Sequence, residues 1–136
     1  MQMVDRVHQL LSEKLKPGDR AADATMGNGW DTLKLCELVG ERGMVYGFDI
    51  QEKAVSTTKE RLENAGFLGR AKLFFCSHSE AGERIHENIQ AFTMNLGYLP
   101  GGDKQIITRS ESTVAALRAL TQLLSPGGLG LVLIYY

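Results

Sequence analysis

The sequence has almost no net charge. Its 15 Lys and Arg stand against 16 Asp and Glu, leaving −1 over 136 residues. It therefore presents no overall basic field for a nucleic-acid backbone, although a local patch is compatible with that balance. It also lacks any apolar run approaching the roughly 20 residues of a membrane span, so no membrane association is expected. The opening stretch MQMVDRVHQLLSEKLKPGD lacks the basic-then-apolar order of a secretory signal. Cysteine is scarce. Cys36 and Cys76 make neither a disulfide framework nor a metal-ligand spacing. They read as buried thiols in a reducing compartment, so a cytoplasmic setting and no bound metal are expected. Repeats, low-complexity tracts and linkers are absent too. The remaining composition, 43 % apolar and 23 % charged, is that of an ordinary globular chain, sized for one domain over 1–136 with one core.

Strand and helix patterns alternate along this chain. Val4, Val7, Leu11 and Leu15 recur at helical spacing, predicting a helix over about 2–15 that Pro17-Gly18 stops. RAADAT is a short strand ending at Asp23 or Ala24, and GNGWDT is a turn. Thr32, Leu35, Cys36 and Val39 form the next helical face, stopped by Gly40. MVYGFDI is a strand of buried type ending at Asp49. Ala54, Val55, Thr58, Leu62 and Ala65 give a helix, with Gly66 after it. AKLFFC is a third strand, 79–88 a weaker helix, and IQAFTMNLG a fourth strand. Thr108 and Glu111 fit a capping box for a helix through Val114, Leu117, Leu120, Thr121 and Leu124, which Ser125-Pro126-Gly127-Gly128 ends. LGLVLIYY is the fifth strand. Such alternation predicts an α/β, Rossmann-like fold: a parallel sheet in the order 3-2-1-4-5 with helices on both faces. Ligands of such sheets bind outside the carboxyl ends of the strands, where the order reverses. That point lies between strands 1 and 4, so GNGWD faces NLGYLPGGD across the expected crevice.

The turn DATMGNGWDT, Asp23–Thr32, opens a helix directly after a strand. Gly27 and Gly29 allow a tight bend and close backbone approach to a ligand. The third position of a dinucleotide fingerprint is Thr32 rather than glycine, and Asp23 at the strand end would repel a pyrophosphate. With Asp31 in the same turn, the chemistry favours a cationic ligand such as S-adenosyl-L-methionine over NAD. Asp49 ends strand 2 where an acid accepts hydrogen bonds from ribose hydroxyls, with Ile50 and Gln51 beside it. Ser77 and His78 follow strand 3 on the adenine side. The candidate cofactor contacts are therefore Asp23, Met26, Gly27, Asn28, Gly29, Trp30, Asp31, Thr32, Asp49, Ile50, Gln51, Ser77, His78 and Asn95. Plain structural roles compete: Asp31 and Asp49 as helix caps, Ser77 or Ser79 as an N-cap, and His8 and His86 as ordinary helix residues.

DATMGNGWDT, GFDIQ, the Ser-His after strand 3, NLGYLPGGDK and STVAAL together resemble the bacterial rRNA methylase family of class I S-adenosylmethionine-dependent methyltransferases, from about Arg20 to Tyr136. The resemblance implies methyl transfer to the 5-aminomethyl group of (2-thio)uridine at the tRNA wobble position. By position it carries cofactor contacts onto Asn28, Asp49, Gln51, Ser77 and His78; Trp30 departs from the family pattern. Seven strands are usual in the family, and this sequence stops on the fifth, so a C-terminally truncated domain is expected, with a homodimer as an assembly to consider. For an amine acceptor, Asn95 and the Leu96 carbonyl would orient the nitrogen, Tyr98 would stack on the uracil and Asp103 would take a proton. Lys104 and Arg109 would meet phosphates or stay solvated. An rRNA or small-molecule methyltransferase and a non-catalytic nucleotide-binding module are the alternatives.

Overall fold

The computed structural model describes residues 2–96 and 103–134, with side chains from 111 onward in the second stretch. Within them five helices and five strands alternate: α1 (Met3–Lys14), β1 (Arg20–Asp23), α2 (Trp30–Val39), β2 (Met44–Asp49), α3 (Glu52–Ala65), β3 (Ala71–Phe75), α4 (Ala81–Arg84), β4 (Ile89–Leu96), α5 (Asp103–Leu123) and β5 (Leu124–Ile134). The strands form one parallel sheet in the order β3-β2-β1-β4-β5, as the alternation predicts.

Each face of the sheet is sealed by its own apolar cluster. Strand side chains alternate between faces, so adjacent Ala21 and Ala22 serve opposite cores. On one side Val7, Leu11 and Leu15 of α1 and its exit pack with Leu35, Val39 and Leu62 of α2 and α3. On the other, Ile85, Ala116 and Leu120 from the α4 and α5 region pack on Phe48, Phe92 and Met94. Burying each large side chain stabilises the fold by about 1.5–3 kcal/mol. Small residues in β1 keep the centre of the sheet thin enough for both helical layers.

Three boundaries differ from the sequence pattern. The fourth helix is one short α-helical turn preceded by a 3-10 turn, His78–Glu80, because Ile85 leaves helical geometry to enter the core. The α5 helix begins at Asp103, ahead of the expected capping box at Thr108. The β5 strand begins at Leu124, ahead of the expected stop. Its register jumps from Ile89↔Leu124 to Ala91↔Leu129, so the Ser125-Pro126-Gly127-Gly128 turn survives as an irregularity within the strand. Gln90 Nε2 donates to Ser125 Oγ at 3.0 Å and ties that irregularity to β4. Among the described residues, no helix is long and apolar enough to cross a membrane.

Candidate active site

A cleft of about 680 Å³ opens at the carboxyl ends of β1, β2 and β4, a size within the usual range for small-molecule sites. Its wall begins with the loop from β1 to α2. Gly27 adopts φ +53, a left-handed conformation that only glycine accepts cheaply. Its N–H donates to Asp49 Oδ2 at 3.0 Å, while the Gln51 N–H donates to Asp49 Oδ1 at 2.9 Å. One carboxylate thus fastens the first loop to the end of β2. Met26 donates its N–H to the Phe48 carbonyl at 3.0 Å and lays its side chain along the cleft.

Asp23 does not line this cleft, contrary to the expectation that it faces the ligand. Its side chain is fully buried. Oδ2 accepts from the Thr32 hydroxyl at 2.6 Å and Oδ1 from the Thr25 N–H at 3.1 Å. Burial pushes its carboxyl up to about 7; the Thr32 and Thr25 hydrogen bonds oppose this, and the nearby charges of Asp31 and Asp49 add to it. Thr32 is likewise turned to Asp23 rather than to the cleft. Gly29 is also absent from the lining. At φ +86, its added Cβ would lie 2.9 Å from Thr58 Oγ1 and 3.0 Å from Thr58 Cα. The glycine there lets the start of α2 pack on α3.

Asp31 does line the cleft from the first turn of α2, and its side-chain hydrogen bonds go to other elements rather than to the N–H groups of its own helix. The two carboxylate oxygens go to different elements. His8 Nε2 from α1 lies 2.7 Å from Oδ1, and Asn95 Nδ2 from the end of β4 donates to Oδ2 at 2.8 Å. The Asn95 N–H donates to Thr25 Oγ1 at 2.7 Å. Helix α1, the first turn of α2 and strand β4 therefore meet at one carboxylate.

The remaining expected contacts Asn28, Trp30, Ile50, Gln51, Ser77 and His78 all border the cleft. Ser77 caps the 3-10 turn, its Oγ accepting from the Ser79 N–H at 3.1 Å. His78 sits 3.2 Å from both the Ala24 carbonyl and Ser112 Oγ, bridging the loop that leaves β1 to α5. Trp30 is 58 % exposed at the rim, its ring stacked under the Arg61 guanidinium at 3.6 Å. Arg61 also donates to the Asn28 carbonyl at 2.8 Å. Tyr98 and the side chains of Asp103, Lys104 and Arg109 lie outside the described residues. Among those described, no group of His, Cys, Asp or Glu is arranged to hold a metal ion.

Sequence reasoning missed Val4, Thr25, Lys53, Thr57, Ser112 and Thr113, which also border the cleft, and His8 behind Asp31. Thr25 stood inside the quoted turn and could have been found there. The α1 and α5 residues carry no local signal, because only tertiary packing brings their helices to the strand ends.

A family model described as "Putative rRNA methylase" matches residues 45–136. A second, for protein-L-isoaspartate(D-aspartate) O-methyltransferase, matches residues 1–81. The Arabidopsis thaliana protein named tRNA (mnm(5)s(2)U34)-methyltransferase, chloroplastic, is 41 % identical over 138 residues, covering 94 % of this chain and 50 % of its own length. The crystal structure of a putative rRNA-methylase from Clostridium thermocellum matches with a TM-score of 0.85 at 40 % identity, over 95 % of this chain and 70 % of that one. A putative methyltransferase from Streptococcus mutans, solved in complex with SAH, matches with a TM-score of 0.82 at 35 % identity, over 96 % and 72 %. The chain thus spans half the length of its Arabidopsis relative. By sheet order, cleft and family match together, it belongs to the rRNA methylase family of class I S-adenosylmethionine-dependent methyltransferases.

Proposed function

We propose that this chain is the S-adenosylmethionine-binding domain of an RNA methyltransferase acting on the 5-aminomethyl group of (2-thio)uridine at the tRNA wobble position. The observation that carries this reading is the state of Asn95. One N–H of its side-chain NH2 goes to Asp31 and its backbone N–H to Thr25, which turns the side-chain carbonyl away from Asp31 as an acceptor to offer a substrate. A carbonyl at the switch point suits an amine nucleophile. The name of the Arabidopsis relative supports the choice of tRNA and of position 34. tRNA is the proposed partner, a homodimer the proposed assembly, and the cytoplasm the proposed setting.

The residues present fit S-adenosylmethionine. Each Asp49 oxygen accepts one backbone N–H and retains capacity for a ribose hydroxyl. Ser77 and His78 would flank the purine, and Asp31 gives the cleft a carboxylate for the α-ammonium. When bound, the cofactor supplies an electrophilic methyl group on a sulfonium. The chain's own part is to orient a neutral amine and keep water away. An ammonium has no lone pair, so Asn95 Oδ1 and the Leu96 carbonyl would accept the amine's N–H groups and draw off positive charge as it develops. Tyr98 would hold the uracil by stacking and Asp103 would receive the departing proton. Orientation of this kind contributes up to about 7–11 kcal/mol of barrier lowering.

The test is transfer of a labelled methyl group from S-adenosylmethionine to tRNA isolated from cells lacking the final wobble methylation. Label is expected in the wobble nucleoside. Label confined to ribosomal RNA, or to small amines, would reject the tRNA assignment.

A further inference from the structure

We propose that His8 is a positioning residue of this site: it fixes Asp31 and, through Asp31, the side-chain amide of Asn95. The turnover consequence rests on the methyltransferase reading above; the positioning does not. A carboxylate only accepts hydrogen bonds, so the 2.7 Å contact to Asp31 Oδ1 requires the proton on His8 Nε2. The opposite oxygen, Oδ2, accepts from Asn95 Nδ2 at 2.8 Å. Two anchors on opposite oxygens set the plane of the carboxylate, and that plane sets the direction from which Asn95 must donate. The reverse orientation of the Asn95 amide would turn its carbonyl toward a carboxylate oxygen, acceptor against acceptor. Asn95 Oδ1 is therefore held as the outward acceptor.

His8 is not needed to hold α1 on the sheet. Val7, Leu11 and Leu15 are buried in the core and do that. The Asp31 and His8 side chains are 14 % and 23 % exposed, so the pair is shielded from water without being sealed off. Without His8, Asp31 keeps one anchor and can turn about its terminal torsion. One helical turn before His8, Val4 borders the same cleft, so this face of α1 is directed at the site.

The experiment compares wild type with His8→Ala and His8→Gln, whose side-chain amide can offer an N–H at a similar reach. Two quantities are read: hydrogen exchange of the Asn95 side-chain amide by NMR, and methyl transfer to the tRNA substrate, with S-adenosylhomocysteine affinity and melting temperature alongside. His8→Ala is expected to speed Asn95 amide exchange ~10-fold or more and to lower turnover ~10- to ~100-fold, the scale of a small misplacement. The adenosine contacts are untouched, so S-adenosylhomocysteine affinity is expected to fall less than turnover does, by the share that a loosened Asp31 contributes to holding the α-ammonium, and His8→Gln should recover most of these losses. Unchanged Asn95 exchange in His8→Ala overturns the proposal whatever the turnover. So does faster exchange with wild-type turnover, or a His8→Gln variant as impaired as His8→Ala on both readings. A wild-type protein that transfers no methyl group rejects the functional reading instead, and Asn95 exchange then decides the role of His8.

Discussion

Replacing Asp23 with asparagine should make the protein more stable, and more so the higher the pH. The buried Asp23 carboxyl titrates at about 7 in the folded chain against an ordinary 3.8. Between those values the folded state holds a proton that the unfolded state has released, so stability is greatest below the lower value and falls as pH rises through the window. At about 1.4 kcal/mol per pH unit, the loss approaches ~4 kcal/mol by about pH 8. The substituted amide carries no charge to bury. Its carbonyl can still accept the Thr25 N–H, and its NH2 can donate to the Thr32 hydroxyl that now donates to Asp23 Oδ2. Urea unfolding followed by far-ultraviolet circular dichroism, at about pH 5 and about pH 8, gives the difference between Asp23→Asn and wild type; it should widen by roughly 2–3 kcal/mol over that interval. Other titrating groups are common to both proteins and cancel. Parallel stability profiles would refute the reasoning, because they would mean that burial does not oppose ionisation of Asp23.

The same carboxyl should answer to the ligand. Cationic charge in the cleft favours the ionised form of Asp23, so binding S-adenosylmethionine near pH 7 should release a fraction of a proton; calorimetry in buffers of different ionisation enthalpy should detect it, and Asp23→Asn should abolish it. Asp49→Ala removes the acceptor of the Gly27 and Gln51 N–H groups and should weaken S-adenosylmethionine binding roughly 10- to 100-fold, measured by calorimetry. Asn95→Ala should instead lower turnover about 100-fold with cofactor affinity nearly unchanged; equal loss of affinity in both variants would contradict this division. Gly29→Ala should cost about 1–3 kcal/mol of stability in a thermal or urea melt, because the new Cβ meets Thr58 at 2.9 Å from a backbone already at φ +86.

Much of this was legible in the residues. Helical periodicity and short apolar runs located the five strands and the longer helices, and the right-handed crossovers of a doubly wound sheet supplied the strand order. The failures share a cause. Pro126 and the following glycines look like a turn locally, yet strand pairing with β4 continues on both sides of them. Gly29 and Asp23 looked like ligand residues, because a glycine turn and an acid at a strand end are what such sites need. Their partners proved to be Thr58 and Thr32, one on another helix and one inside the core. His8 was legible only as a polar residue on an amphipathic helix. Its value comes from Asp31, 23 residues away, and no local pattern encodes that meeting.

Trp30 is the sole tryptophan of the chain, and it stands at the mouth of the cleft beneath the Arg61 guanidinium. All indole emission therefore originates from one place, a few ångströms from where a ligand enters. The stacked cation makes that emission sensitive to any event that lifts or presses Arg61, whose other tie is to the Asn28 carbonyl in the same loop. The molecule is thus furnished with an intrinsic optical gauge of occupancy, one that can follow entry and departure in real time without any attached dye.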